Sequence, residues 1–414
     1  MTHPGNLISK RQRLRGIWLL GGLLALAASV LAADRTSRAS RPPAPPEAQQ
    51  IGEVIFAPAD LMRHVEYLAS PELEGRRDRG AALAADYVIQ HLREAGLQPL
   101  FSGSFEQPIP AGDGPENAAV LGKNVGAILP GSDPRWKDEV ILLGVHYDHL
   151  GIRRGQVHPG ADDNASSVAM LLETAKYISQ LRPAPRRSIA LVGFDLEEQL
   201  LWGSRWFASH PPVPREKIKL MVTSDMIGRS LGDLPLPLVF MFGSEYCPEL
   251  RHHVARVGVP KGLEVGRLGA DFIGTRSDYG PFRDLQIPFL FFSTGEHPDY
   301  HTPRDLPQRI NPEQMARIAS LIAQTIVEVA NSPSPPVWNG RPEPDLAEAA
   351  TMERVTSVML AEEAAGRRKL STAVRFVAEQ TRSKTRYMRE RGTFSEDERT
   401  LLRRSAQYLL ISAF

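Results

Sequence analysis

The stretch that decides the fold runs from Val140 to Phe194. It opens on Val140-Ile141-Leu142-Leu143-Gly144-Val145 and passes through His146-Tyr147-Asp148-His149. It closes on Ser188-Ile189-Ala190-Leu191-Val192-Gly193-Phe194. The first and last runs are short and continuously apolar, as expected of strands covered on both faces. Between them, over residues 166–181, Val168, Leu171, Leu172 and Ala175 recur at helical spacing. Working outward, further apolar runs occupy residues 220–223, 238–242 and 288–292, and a further helix is expected over 312–329. Upstream, a helix from Asp60 would bury Leu61, Val65 and Leu68, with Asp60 as its cap. A second helix over 81–95 would end on Gly96. Strands alternating with helices imply an α/β fold, a mostly parallel mixed sheet sandwiched between helices.

Composition bounds what such a fold can do. The chain has 414 residues, and its 42% hydrophobic content is enough for a sizeable core. Its 49 basic residues against 48 acidic ones leave a net charge of +1, which argues against nucleic-acid binding. A single cysteine, Cys247, excludes an intrachain disulfide framework and any thiolate metal cluster. Any metal must therefore be held by His and carboxylates.

The N-terminus reads as an export signal over residues 1–33. Lys10, Arg11, Arg13 and Arg15 precede an apolar run that ends in small residues. The alternative is an uncleaved segment tethering the chain to a membrane. Either reading places the remainder outside the cytoplasm, periplasmic or extracellular. A Pro-rich linker is expected over 34–54 and the main domain over 55–335. Residues 336–414 read as a helical, basic extension. From Gly366 onward twelve Lys and Arg face five acids, a balance that fits either an anionic surface or solvated faces of packed helices.

Polar clusters follow the apolar runs, at the edge where open α/β sheets bind ligands. They are His146-Tyr147-Asp148-His149, Gly160-Ala161-Asp162-Asp163-Asn164-Ala165-Ser166, Asp195-Leu196-Glu197-Glu198, Ser224-Asp225-Met226, and Asp299-Tyr300-His301-Thr302-Pro303. Singly, each reads as a cap or a turn. Together they gather imidazoles and carboxylates at one edge, a donor set suited to zinc.

In this order, the five motifs resemble those of the bacterial double-zinc aminopeptidases, the leucyl and aminopeptidase Y-like co-catalytic zinc exopeptidases, over roughly residues 55–332. The resemblance implies two Zn2+ ions bridged by Asp162, with Glu198 and His301 on one ion and His146 and Asp225 on the other. It assigns Glu197 as general base and Asp148 as the group orienting His146. It also implies a cis peptide between Asp162 and Asp163, and gives Tyr279, within Arg276-Ser277-Asp278-Tyr279-Gly280-Pro281-Phe282, to the developing oxyanion. The substrates would be peptides with a free N-terminus, whose α-amine could meet a metal or a nearby acid. His149 is expected beside the ligands rather than among them. A carboxypeptidase or dipeptidase of the same clan, a glutaminyl cyclase, and a non-catalytic binding domain are the other readings. The preferred N-terminal side chain and the oligomeric state are not legible in the sequence.

Overall fold

The computed structural model describes residues 51–111 and 119–412. The expected signal or anchor, and the linker as far as residue 50, lie outside the described residues. Among the described residues no helix is long and apolar enough to cross a membrane.

Nine strands form one sheet: β1 (Gln98–Pro99), β2 (Glu106–Pro110), β3 (Val120–Leu129), β4 (Val140–His146), β5 (Ser188–Phe194), β6 (Ile218–Ser224), β7 (Leu238–Phe242), β8 (Glu264–Arg267) and β9 (Phe289–Ser293). Their spatial order is β8-β7-β9-β6-β4-β5-β3-β1, with β2 also pairing β3. The four central strands β9, β6, β4 and β5 run parallel. Antiparallel pairings, β7 to β9 on one side and β3 to β5 on the other, make the sheet mixed. The runs read as strands at 140–145, 188–194, 220–223, 238–242 and 288–292 all lie in this sheet. Strand β3 was not expected. Its apolar pattern is broken by Gly122, Lys123 and Asn124, which an outer strand tolerates, and Lys123 pairs with Glu106 of β2 at 2.6 Å.

Alternation along β4 divides the interior. Ile141, Leu143 and Val145 face a core shared with α1 (Pro58–Leu68), α2 (Arg79–Glu94), α3 (Ser167–Gln180) and α7 (Pro312–Asn331). Val140 and Leu142 face a second core with α4 (Trp202–Ser209) and α6 (Tyr279–Asp284). One helix, α5 (Glu249–Val257), adds Leu250 and Val254 to the first core. Two expectations about helix ends meet different outcomes. Helix α1 begins at Pro58, whose fixed φ suits a first helical turn, and Asp60 lies inside that turn paired with Arg63 at 2.6 Å, so it is not the cap. Gly96 follows α2 at φ 72 and donates its N–H to the Arg93 carbonyl, ending the helix as expected.

The C-terminal extension folds into α8 (Ala347–Ala364), α9 (Thr372–Arg391) and α10 (Glu396–Ser412). Met352, Val355 and Met359 of α8, Val374 and Val377 of α9, and Leu402 and Leu409 of α10 all join the second core. The extension is thus packed on the sheet. Its cations meet acids: Arg367 pairs with Glu362, Arg375 with Glu363, and Arg386 and Arg389 with Glu353. Arg399 is the most enclosed, with bonds of 2.8 and 2.9 Å to Glu348 and 2.8 Å to Asp271.

Removing one partner of a buried ion network leaves the other charges uncompensated and costs about 3 kcal/mol. Arg399→Ala should lower stability by about that amount in urea unfolding. A loss below about 0.5 kcal/mol would show that apolar packing alone docks the extension.

Candidate metal centre

The four parallel strands end at one edge, and each feeds the same cluster. His146 closes β4, Glu197 and Glu198 lie just past β5, Asp225 follows β6, and His301 lies in the loop after β9. The turn entering α3 supplies the centre. His146, Glu197 and Asp225 form one group of converging donors, and His149, Asp163 and Glu198 form a second. Asp163 lies between them. Its Oδ1 is 3.5 Å from His146 Nε2, while its Oδ2 is 3.1 Å from His301 Nε2 and 3.7 Å from His149 Nδ1. His301 also lies 3.4 Å from Glu198 Oε2, and His149 Nδ1 lies 2.8 Å from Glu198 Oε1.

This geometry corrects the expectation for Asp162. Its side chain turns away from the cluster, accepting the Gly228 N–H at 2.6 Å and lying 3.4 Å from His297 Nε2. The cis peptide joins Asp163 to Asn164, one bond later than expected. The placement follows from the loop. Asp305 accepts the N–H groups of both Asp162 and Asp163, at 3.0–3.1 Å. Asn164 donates to the Ser224 carbonyl at 3.1 Å, tying the loop to the end of β6. Gly160 enters the loop at φ 58, where a Cβ would lie 2.1 Å from the Asp163 carbonyl and 2.5 Å from the His149 ring. Only glycine fits there.

Asp148 faces His146 as expected, its carboxylate Oδ1 lying 3.6 Å from His146 Nδ1. Its backbone carbonyl lies 3.2 Å from His146 Nδ1, and a carbonyl can only accept. Nδ1 therefore carries a proton, and Nε2 is the ring nitrogen that faces the site. The Asp148 carboxylate accepts the backbone N–H of Glu197 at 3.0 Å and of Glu198 at 3.3 Å. It thereby fixes the loop that carries both glutamates.

Tyr279 is not in the site. It is fully buried, stacks on Phe289 and Phe291, and donates its hydroxyl to the Gly274 carbonyl. Its neighbour Asp278 points toward the cluster instead: burial, with Asp225 and Asp148 nearby, pushes its carboxyl up to about 7. The tyrosine that faces the donors is Tyr300, stacked on His301 at 3.8 Å. Burial, then Asp163 and Asp225, raise its hydroxyl well above the usual range. Its place beside His301 in the sequence was the available signal.

Below the cluster lies Arg76, fully buried. It donates to the carbonyls of Tyr147, Leu68, Pro159, Gly160 and Asp163 at 2.6–3.0 Å, which engages all of a guanidinium's donors. Nothing in its local sequence marks it, because its partners are backbone atoms far along the chain.

The donor set fits cations. His146 Nε2, His149 Nε2 and Asp225 Oδ1 are buried and have no hydrogen-bond partner. Buried polar groups normally find one. The carboxylates repel one another as well: burial and Glu198 push Asp163 up to about 7, and burial holds Glu197 well above the usual carboxylate range. Burial draws His149 down to about 4, which keeps its ring neutral. Burial acts to lower His146 and His301 as well, yet the surrounding carboxylates hold both above the ordinary imidazole range, so a divalent ion binding there would displace their protons.

Residues 124–326 match the model of peptidase family M28. Among curated relatives, leupeptin-inactivating enzyme 1 of Streptomyces exfoliatus is 28% identical over 238 residues, covering 56% of this chain and 48% of that protein. Aminopeptidase YwaD of Bacillus subtilis is 24% identical over 212 residues, 48% of this chain and 43% of that one. The chain thus spans about half the length of these relatives. Among solved structures, glutaminyl cyclase of Porphyromonas gingivalis superposes with a TM-score of 0.52 at 20% identity, over 66% of this chain and 98% of that one, a likeness of fold. Every donor of the two groups lies within residues 124–326, the segment that matches peptidase family M28.

Proposed function

We propose that the chain is an exported di-zinc aminopeptidase that removes N-terminal residues from peptides. The observation that carries the reading is the division of Asp163, one carboxylate oxygen toward His146 and the other toward His301 and His149. One ion would be held by His146, Asp225 and Asp163, the other by Asp163, Glu198 and His301, with His149 at hand as a further donor. Zinc bound there would acidify a water and polarise the scissile carbonyl.

The chain's own groups supply the rest. Glu197 takes a proton from the attacking water as its oxygen bonds to the carbonyl carbon. As the C–N bond breaks, Glu197 delivers that proton to the leaving amine. Tyr300 donates its hydroxyl to the oxygen on which negative charge develops, the role first given to Tyr279. Asp148 keeps His146 and the glutamate loop in register. Surrounding acids attract a positively charged α-amine, which favours chain ends over internal bonds. Export rests on the basic and apolar N-terminal pattern, and aminopeptidase specificity is supported by the name of the Bacillus relative.

Peptides with free and N-acetylated termini, read by mass spectrometry with and without a chelator, test the reading. Stepwise N-terminal loss from free peptides alone, stopped by chelation, is expected. Trimming from the C-terminus, or ammonia loss from N-terminal glutamine, would move the assignment to another activity of the fold. Glu197→Gln should lower kcat by about a thousandfold while leaving bound zinc unchanged. In elemental analysis, Asp163→Asn should reduce zinc to below one ion per chain, whereas Asp162→Asn should keep both. Equal metal loss in the two variants would mean that Asp163 alone is not the bridging carboxylate.

A further inference from the structure

The C-terminal extension does more than cover the sheet. A cavity of about 950 Å3, its open mouth included, runs from the metal centre into the second core. Asp225 and Tyr300 stand at one end, with the Arg276–Glu296 ion pair also on its lining. Its floor is the aromatic surface of β7 and β9, where Phe242 stacks on Phe291 at 5.5 Å. The remaining wall comes from the extension: Met352, Val355 and Met359 of α8, with Ala406 and Leu409 of α10. These five lie outside the matched family segment, which ends at residue 326.

We propose that α8 and α10 build the pocket that selects the substrate's N-terminal side chain, and that the side chain selected is large and apolar. The inference rests on the aminopeptidase reading and deepens it. Apart from Asp225, Ser293, Tyr300 and the mutually paired Arg276 and Glu296, the lining is aliphatic and aromatic, so a charged or amide side chain entering it would lose its water and recover few hydrogen bonds. Methionines on α8 can adjust to differently shaped apolar groups. Orientation follows from the chemistry at the mouth. Glu197 protonates the leaving amine, so the departing peptide lies on the Glu197 side. The cavity reaches the metal centre at Asp225 and Tyr300, and Glu197 is not part of its lining. The side chain it receives therefore belongs to the residue being released.

Docking of the extension bears on this wall. Arg399 holds α10 to Glu348 of α8 and to Asp271, one residue before the lining residue Phe272. The wall is thereby fixed relative to the sheet, as a selective pocket needs.

The test narrows the cavity from the extension side, with Val355→Phe and, independently, Ala406→Leu, each checked for an unaltered thermal unfolding midpoint. The dipeptides X-Ala and Ala-X, with X as Ala, Leu or Phe, are assayed on zinc-loaded enzyme. Each substitution should lower the ratio of kcat/KM for Leu-Ala over Ala-Ala at least tenfold, and Met359→Ala should raise Phe-Ala relative to Leu-Ala. An unchanged ratio in both narrowing variants overturns the proposal, as does a shift confined to the Ala-X series. If the wild type releases no N-terminal residue, the peptidase reading fails, and calorimetric titration of L-leucinamide then decides the pocket. Binding to the wild type that is lost in Val355→Phe keeps the assignment. Equal binding in both, or none in either, removes it.

Discussion

Five carbonyl oxygens end on the buried guanidinium of Arg76, and the site depends on that convergence. The Tyr147 carbonyl lies between His146 and Asp148, and the Pro159, Gly160 and Asp163 carbonyls line the turn that carries Asp163. A single rigid cation thus sets the distance between the strand that brings His146 and the loop that brings the central carboxylate. Burial lowers its pKa to about 10, yet Asp163, Asp305 and Asp148 favour its charged form. It also offsets part of the negative charge that those carboxylates accumulate. Lysine could not substitute, because one ammonium cannot reach five acceptors spread around a planar fork.

With that scaffold in place, the division of labour between adjacent residues becomes a matter of backbone direction. Asp162 and Asp163 have the same chemistry and nearly the same address. One is drawn to the Gly228 N–H and His297, the other to the space between two imidazoles. Asp305 holds both their N–H groups and so fixes which carboxylate faces which way. The same logic separates Tyr279 from Tyr300. A tyrosine opening a short helix beneath β9 points into the aromatic core, while one stacked on a donor histidine faces the donors.

These cases mark what was legible in the sequence. The central strands were, because a buried parallel strand must be apolar at every position, and runs such as 188–194 have no other economical reading. The set of segments forming the site was legible too, since each donor sits just past such a run. Which of two neighbouring acids turns inward was not, because that depends on Asp305 and Asn164 across the fold. Arg76 and Asp148 show a second limit: their bonds are to backbone atoms, which carry no sequence signature. Strand β3 shows a third, for an outer strand with Lys123 and Asn124 obeys weaker apolar demands than a central one.

The extension shows how a charge count misleads when partners are not placed. Twelve cations against five acids after Gly366 look like a surface in search of an anion. The missing acids lie earlier in the chain, as Glu348, Glu353, Glu362 and Glu363 on α8 and Asp271 beside β8. Arginines on α9 and α10, with Arg367 in the connection before α9, meet them because the three helices pack together, so the basic excess of one segment complements the acidic excess of another. That pairing orients α8 with its acids toward the neighbouring helices and its Met352, Val355 and Met359 toward the sheet. The charge pattern and the apolar pattern are therefore two consequences of one packing arrangement, and the apolar face it creates is the one that meets the cavity beside Asp225.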